Sequence, residues 1–114
     1  QLKKAKDFIE ASEMLEKLVA LEPDDKQHYY DLANTYIYQK AYSSALSTYQ
    51  KIEDKFGFEE GVVLQRKQIY LNQNKLKEAL GEVELLITYF PEETKYYGMK
   101  GHILNMQGKY IITS

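Results

Sequence analysis

The sequence predicts an all-α fold, a stack of antiparallel helix hairpins with about six helices. Three observations predict it. Apolar residues fall at i, i+3 and i+7, the spacing of one helical face. The whole pattern recurs with a period of 34 residues. Pro or Gly closes each period, where a helix must stop and the chain must turn.

A shift of 34 aligns Ala11, Ala45 and Ala79, and with them Phe8, Tyr42, Leu76 and Tyr110. It brings together Leu15, Tyr49 and Val83, then Leu18, Ile52 and Leu86, then Pro23, Gly57 and Pro91. In the other half of the unit it aligns Tyr29, Val63 and Tyr97, Tyr36, Tyr70 and Leu104, and Gln39, Gln73 and Gln107. The small Ala45 and Ala79 mark close helix–helix approach, since a larger side chain would push the axes apart.

The elements follow in order. Residues 2–21 are expected as the second helix of a truncated first unit. Pro23-Asp24-Asp25 is a loop in which Asp supplies an N-cap. Helices are expected at about 26–39 and 42–55, then, after a turn at Gly57 and Phe58, at about 60–73 and 76–89. Pro91 is expected at a helix start, with Glu92 and Glu93 against the positive end of the dipole, opening a last helix that ends near 106. The turns Gln39-Lys40-Ala41, Gln73-Asn74-Lys75 and Gln107-Gly108-Lys109 join the two helices of each unit. Ile111 and Ile112 fall where a second helix usually carries polar residues, so the final half-unit is not expected to be helical. In the third unit Arg66-Lys67 replaces a core pair. The Arg66 stem is expected to run past its neighbours to solvent or to a nearby carboxylate, the alternative being that this helix packs less closely. The chain reads as one domain, residues 1–114, divided into 1–25, 26–59, 60–93 and 94–114.

The unit from Lys26 to Glu59 carries Tyr29, Leu32, Ala33, Tyr36, Tyr42, Ala45, Tyr49 and Ile52. In spacing and residue type it resembles the tetratricopeptide repeat. The resemblance implies a right-handed superhelical α-solenoid whose first helices line a concave face that binds peptides or helices. The groove positions it implies are Gln27, Tyr30, Asn34, Ile37 and Tyr38 on one helix, and Leu64, Gln68, Leu71 and Asn72 on the next. The last helix would add Lys95, Met99, His102, Asn105 and Met106. This surface is almost uncharged. Members of the family that grip a C-terminal carboxylate use a cluster of Lys and Asn. The matching residues here are Tyr30, Asn34, Gln65, Lys95 and Met99, of which only Asn34 and Lys95 agree.

Composition narrows the function classes. Hydrophobic content is 44%, charged content 28% and net charge −2, with both signs interspersed, so no basic face for nucleic acid is expected. Cysteine is absent, which removes disulfides, thiolate metal sites and cysteine nucleophiles. No apolar run reaches the roughly 18–20 residues of a membrane span. Eleven tyrosines with no tryptophan suit shallow helix packing. The chain opens without Met, as a processed protein or an excised fragment would, and nothing in it fixes a compartment.

No catalytic constellation, metal site or cofactor motif is found. His28 and His102 are expected to face solvent or a groove rather than a metal. Asp24-Asp25, Glu59-Glu60 and Glu92-Glu93 lie at helix starts, where capping and the dipole explain them. The expectation is a protein-interaction module, not an enzyme, holding a low-charge peptide or helical segment. The alternative is a self-associating scaffold segment, a homo-oligomer formed through Leu15 and Leu18 at one end and Tyr97, Ile103, Leu104 and Tyr110 at the other.

Overall fold

The computed structural model describes the backbone of residues 2–113 and the side chains of residues 4–109. These residues form six α-helices and no strand: α1 (Leu2–Leu21), α2 (Lys26–Tyr38), α3 (Tyr42–Phe56), α4 (Glu60–Asn72), α5 (Leu76–Tyr89) and α6 (Thr94–Thr113). The chain divides into two compact units, Gln1–Glu59 and Glu60–Ser114. In the first, α2 packs on α1 and on α3; in the second, α5 packs on α4 and on α6. This pairing of consecutive helices through short loops is that of a helical repeat.

The turns explain why the helices stop where they do. Asp25 caps α2, its Oδ1 accepting from Gln27 N at 3.0 Å. The α2–α3 turn places Lys40 at φ 60°, with Lys40 N donating to Ile37 O and Ala41 N to Tyr36 O. The α4–α5 turn repeats this one period later, with Asn74 at φ 60°, Asn74 N on Leu71 O and Lys75 N on Tyr70 O. Both are Schellman endings, which satisfy carbonyls that the helix leaves without partners. The Pro loops also match. Tyr29 Oη donates to Pro23 O at 3.2 Å, and Tyr97 Oη to Pro91 O at 2.6 Å.

The first unit is centred on Tyr29, Leu32, Ala33, Ala45, Tyr49 and Ile52, all buried. Ala33 and Ala45 are wholly buried on facing helices, as the close approach of α2 and α3 requires. The second unit buries Val62, Val63, Ile69, Leu76, Ala79, Val83, Leu86, Tyr96 and Ile103. Each fully buried large side chain contributes about 1.5–3 kcal/mol.

Several expectations are corrected. Pro91 lies in the α5–α6 turn, and α6 begins only at Thr94. The reason is visible at Pro23: in both loops the Pro carbonyl accepts a tyrosine hydroxyl, and the helix starts three residues later. The turn expected at Gln107-Gly108-Lys109 does not form, because α6 runs on through Thr113 and Gly108 does not adopt positive φ. Ile111 and Ile112 are therefore helical. In α6 the buried stripe is Tyr96, Met99, Ile103 and Met106, at i, i+3, i+7 and i+10, with the two methionines half-buried against the core of α5. Tyr97 and Leu104, which align with core positions of the earlier units and are expected on an uncovered terminal face, are 48% and 46% exposed. Their counterparts on α2, Tyr29 and Tyr36, have α3 beside them, whereas no described helix follows α6. Tyr110 lies outside the described side chains. One expectation is met rather than corrected: Arg66 is buried and donates from Nε to Glu82 Oε1 at 2.8 Å, so of the two expected ends, solvent or a nearby carboxylate, it takes the carboxylate, on α5.

Candidate functional site

The fourteen groove positions lie on α2, α4 and α6, and their surroundings differ from helix to helix. On α2, Gln27 and Asn34 are exposed, with Gln27 Nε2 donating to Asp31 Oδ1 at 2.9 Å. Tyr30 and Ile37 are half-buried. The Tyr30 hydroxyl donates to Glu59 Oε1 at 3.2 Å, and the other oxygen of the same carboxylate takes Lys26 Nζ at 2.9 Å. Burial first, then the Glu59 charge and hydrogen bond, pushes the Tyr30 hydroxyl up to about 12. Its ring meets Tyr49 edge-on at 6.2 Å. Tyr30 thus serves the packing of the first unit, and an ion pair borders a face expected to be uncharged. Tyr38 is 66% exposed and its ring stacks on Phe8 of α1.

On α4, Gln68 and Asn72 are exposed one turn apart and bond to each other, Nε2 to Oδ1, at 3.1 Å. Leu64 is half-buried. Leu71, also half-buried, packs against the buried cluster of Leu76, Ala79, Val83 and Ile103, as do Met99 and Met106 of α6. The second unit therefore draws three of the expected groove residues toward its core. The structure leaves Lys95, His102 and Asn105 exposed. Lys95 Nζ sits 5.3 Å from the centroid of the Tyr96 ring.

The residue that joins α4 to α6 was not among the expected ones. Tyr96 is fully buried and its hydroxyl donates to the Glu60 carboxylate at the start of α4. Burial, then the Glu60 hydrogen bond and charge, raises that hydroxyl to about 12. Lys67 Nζ lies 4.0 Å from Met99 Sδ beside it. Tyr96 aligns with His28 and Val62, which differ in kind, so comparing residue type along the repeat gives no signal there.

No family model matches the chain, and no curated protein matches it.

His28 is also placed differently from the expectation that it faces solvent or a groove. It is half-buried, with Nε2 2.7 Å from Glu22 Oε1 and 3.3 Å from Asp25 Oδ2. The three side chains bring ligand-type atoms within 4.8 Å of one another. Their contacts are accounted for by the loop itself: Asp25 caps α2, and Glu22 reaches from the end of α1 to the ring. The trio clasps the α1–α2 turn. The spacing of three residues between Glu22, Asp25 and His28 was the available signal, hidden because Pro23 interrupts the helical register.

Proposed function

We propose that the chain is a protein-interaction module of the tetratricopeptide type, a right-handed α-solenoid segment. On this reading it holds a low-charge peptide or helical segment along the polar faces of α2, α4 and α6. One observation carries the reading: Asn34, Gln68 and His102, one period apart, are exposed on all three helices. Core positions repeat because packing demands it, whereas exposed positions with hydrogen-bonding side chains are free of that demand. The matching Schellman turns and Tyr–Pro bonds support the repeat that underlies the proposal. Tyr38 adds an exposed aromatic ring at the end of the α2 face.

The test is a titration of an array of uncharged peptides against wild type and against Asn34→Ala with Tyr38→Ala. Binding that falls at least tenfold in the double variant supports the face; a binder that loses nothing rejects it.

A second reading, a self-associating scaffold segment, is favoured by the open stripe of Tyr97 and Leu104 on α6. Gly101 and Gly108 lie between and beyond them, and an added Cβ at either would meet nothing within 4 Å. Light scattering over a concentration series decides it, since a monomer at every concentration removes this reading. Leu15 and Leu18 are half-buried on α1, and Ile103 is buried in the second unit, so Ile103 takes no part in such a contact.

A further inference from the structure

The first unit carries a second recess, away from the polar face of α2. Where the start of α1 passes the end of α2, the two helices bound a cleft of about 340 Å³. Phe8 lines it, with its ring stacked on Tyr38 at 5.5 Å between centroids and 27° between planes. Ile9 and Tyr38 are 53% and 66% exposed beside it, two large apolar side chains that packing within the unit leaves in water. The wall is tied across the two helices, since the Gln39 side-chain Nε2 donates to the Phe8 backbone O at 2.8 Å. Lys4 and Lys40 complete the lining, and no carboxylate lines it. Lys40 is fixed in place by its Schellman turn.

We propose that this cleft is a docking site for a peptide segment carrying a bulky apolar side chain flanked by carboxylates. The volume is at the low end of the about 300–1,000 Å³ typical of ligand pockets, enough for one large side chain and its neighbours. An apolar floor accepts that side chain. Two lysines on the rim, with no acid to neutralise them, select negative charge on either side of it. Neither lysine has an ion-pair partner among the described residues. The other clefts beside the Pro loops have the opposite character, being lined by Asp24 and Asp25 or by Glu92 and Glu93. The site differs from the proposed peptide face in both location and charge preference, sharing only Tyr38.

The probe is a fluorescein-labelled dodecapeptide with a Glu-Phe-Glu centre in a Gly-Ser background, followed by fluorescence anisotropy. Two controls replace both Glu by Gln, or Phe by Gly. The acidic aromatic peptide is expected to bind the wild type, and each control to bind at least fivefold more weakly. The acidic peptide is also expected to weaken in about 0.5 M salt, which shortens the screening length to a few ångström. Lys40→Gly suits the test because Gly accepts the positive φ at that position, so the charge is removed without strain. It should lose roughly fivefold, the scale of one exposed ion pair. Ile9→Ser, at an exposed position outside the α2 face, should lose a similar factor. Asn34→Ala should change nothing. No binding of the acidic aromatic peptide, equal binding of the Gln peptide, or unchanged binding by Lys40→Gly and Ile9→Ser would each overturn the cleft. Loss on Asn34→Ala instead would assign the acidic peptide to the α2 face. An uncharged peptide lost on Asn34→Ala but kept on Ile9→Ser supports the α2 face whatever the fate of the cleft.

Discussion

Arg66 of α4 and Glu82 of α5 form a nearly buried ion pair, Nε to Oε1 at 2.8 Å, with only 10% and 18% of the side chains exposed. One period earlier the same two positions hold Leu32 and Thr48, both buried, with the Thr48 hydroxyl on Ser44 O. The two units thus fill equivalent space with an ion pair in one and with an apolar and a self-satisfied side chain in the other.

That comparison predicts an asymmetric mutant cycle. Glu82→Ala takes away one acceptor of a buried guanidinium and should cost about 3 kcal/mol. Arg66→Leu combined with Glu82→Thr copies the first unit and should stay within about 1 kcal/mol of wild type. Urea denaturation of the single and double variants measures both. A double variant as unstable as Glu82→Ala would mean that the pair is required for itself.

The turn residues predict two unequal gains. Lys40 and Asn74 both sit at φ 60°, but Asn tolerates the left-handed region better than Lys. Lys40→Gly should therefore stabilise by about 1 kcal/mol and Asn74→Gly by only a few tenths. Thermal melts followed by circular dichroism would show the larger rise in Tm for Lys40→Gly. Equal shifts would remove the explanation.

Gly108 separates the observed helix from the expected turn. It lies inside α6, its φ is not positive, and an added Cβ there meets nothing within 4 Å. Gly108→Ala should then raise stability by about 0.5–1 kcal/mol, the usual helix-interior difference. Were residues 107–109 to turn as the other two junctions do, the same change would be destabilising.

Tyr49 is buried with a hydroxyl that has no hydrogen-bond partner among the described residues. Removing an unsatisfied buried polar group relieves its desolvation, so Tyr49→Phe should be neutral or stabilising by about 1 kcal/mol. Tyr36→Phe, by contrast, should lose a little, because that hydroxyl donates to Glu16 Oε2 at 2.8 Å. A drop in Tm for Tyr49→Phe as large as that for Tyr36→Phe would contradict the assignment.

The same hydroxyls set the alkaline limit. Tyr30, Tyr36, Tyr49 and Tyr96 are each raised from 10.0 to about 12, in every case chiefly by burial. The folded state therefore favours the neutral phenol. This contribution is fully present below pH 10 and is lost as pH rises through about 12. Denaturation midpoints taken between pH 9 and 12 should fall steeply above pH 10, and less steeply in Tyr49→Phe. A flat profile in that window would sink the linkage.

The sequence by itself determined α1 to α5 and their register. Ala45, Tyr49 and Ile52 against Tyr29, Leu32 and Ala33 form a local hairpin core, and local cores impose a helical period that can be read along the chain. The Asp25 cap and the turns at Lys40 and Asn74 were legible for the same reason, since capping and turn chemistry involve neighbours in sequence. Tertiary structure alone decided which face of α6 is buried. Tyr96 and Ile103 pack against the preceding helix, at positions held elsewhere by His28 and Val62 or Thr35 and Ile69, so residue type there follows a changing neighbour and leaves no repeating signature. It also decided that Leu71, Met99 and Met106 turn toward the core, that Arg66 ends on Glu82, and that Phe8, Tyr38 and two lysines share one cleft. Each of these depends on contacts between helices, which a period along one helix does not encode.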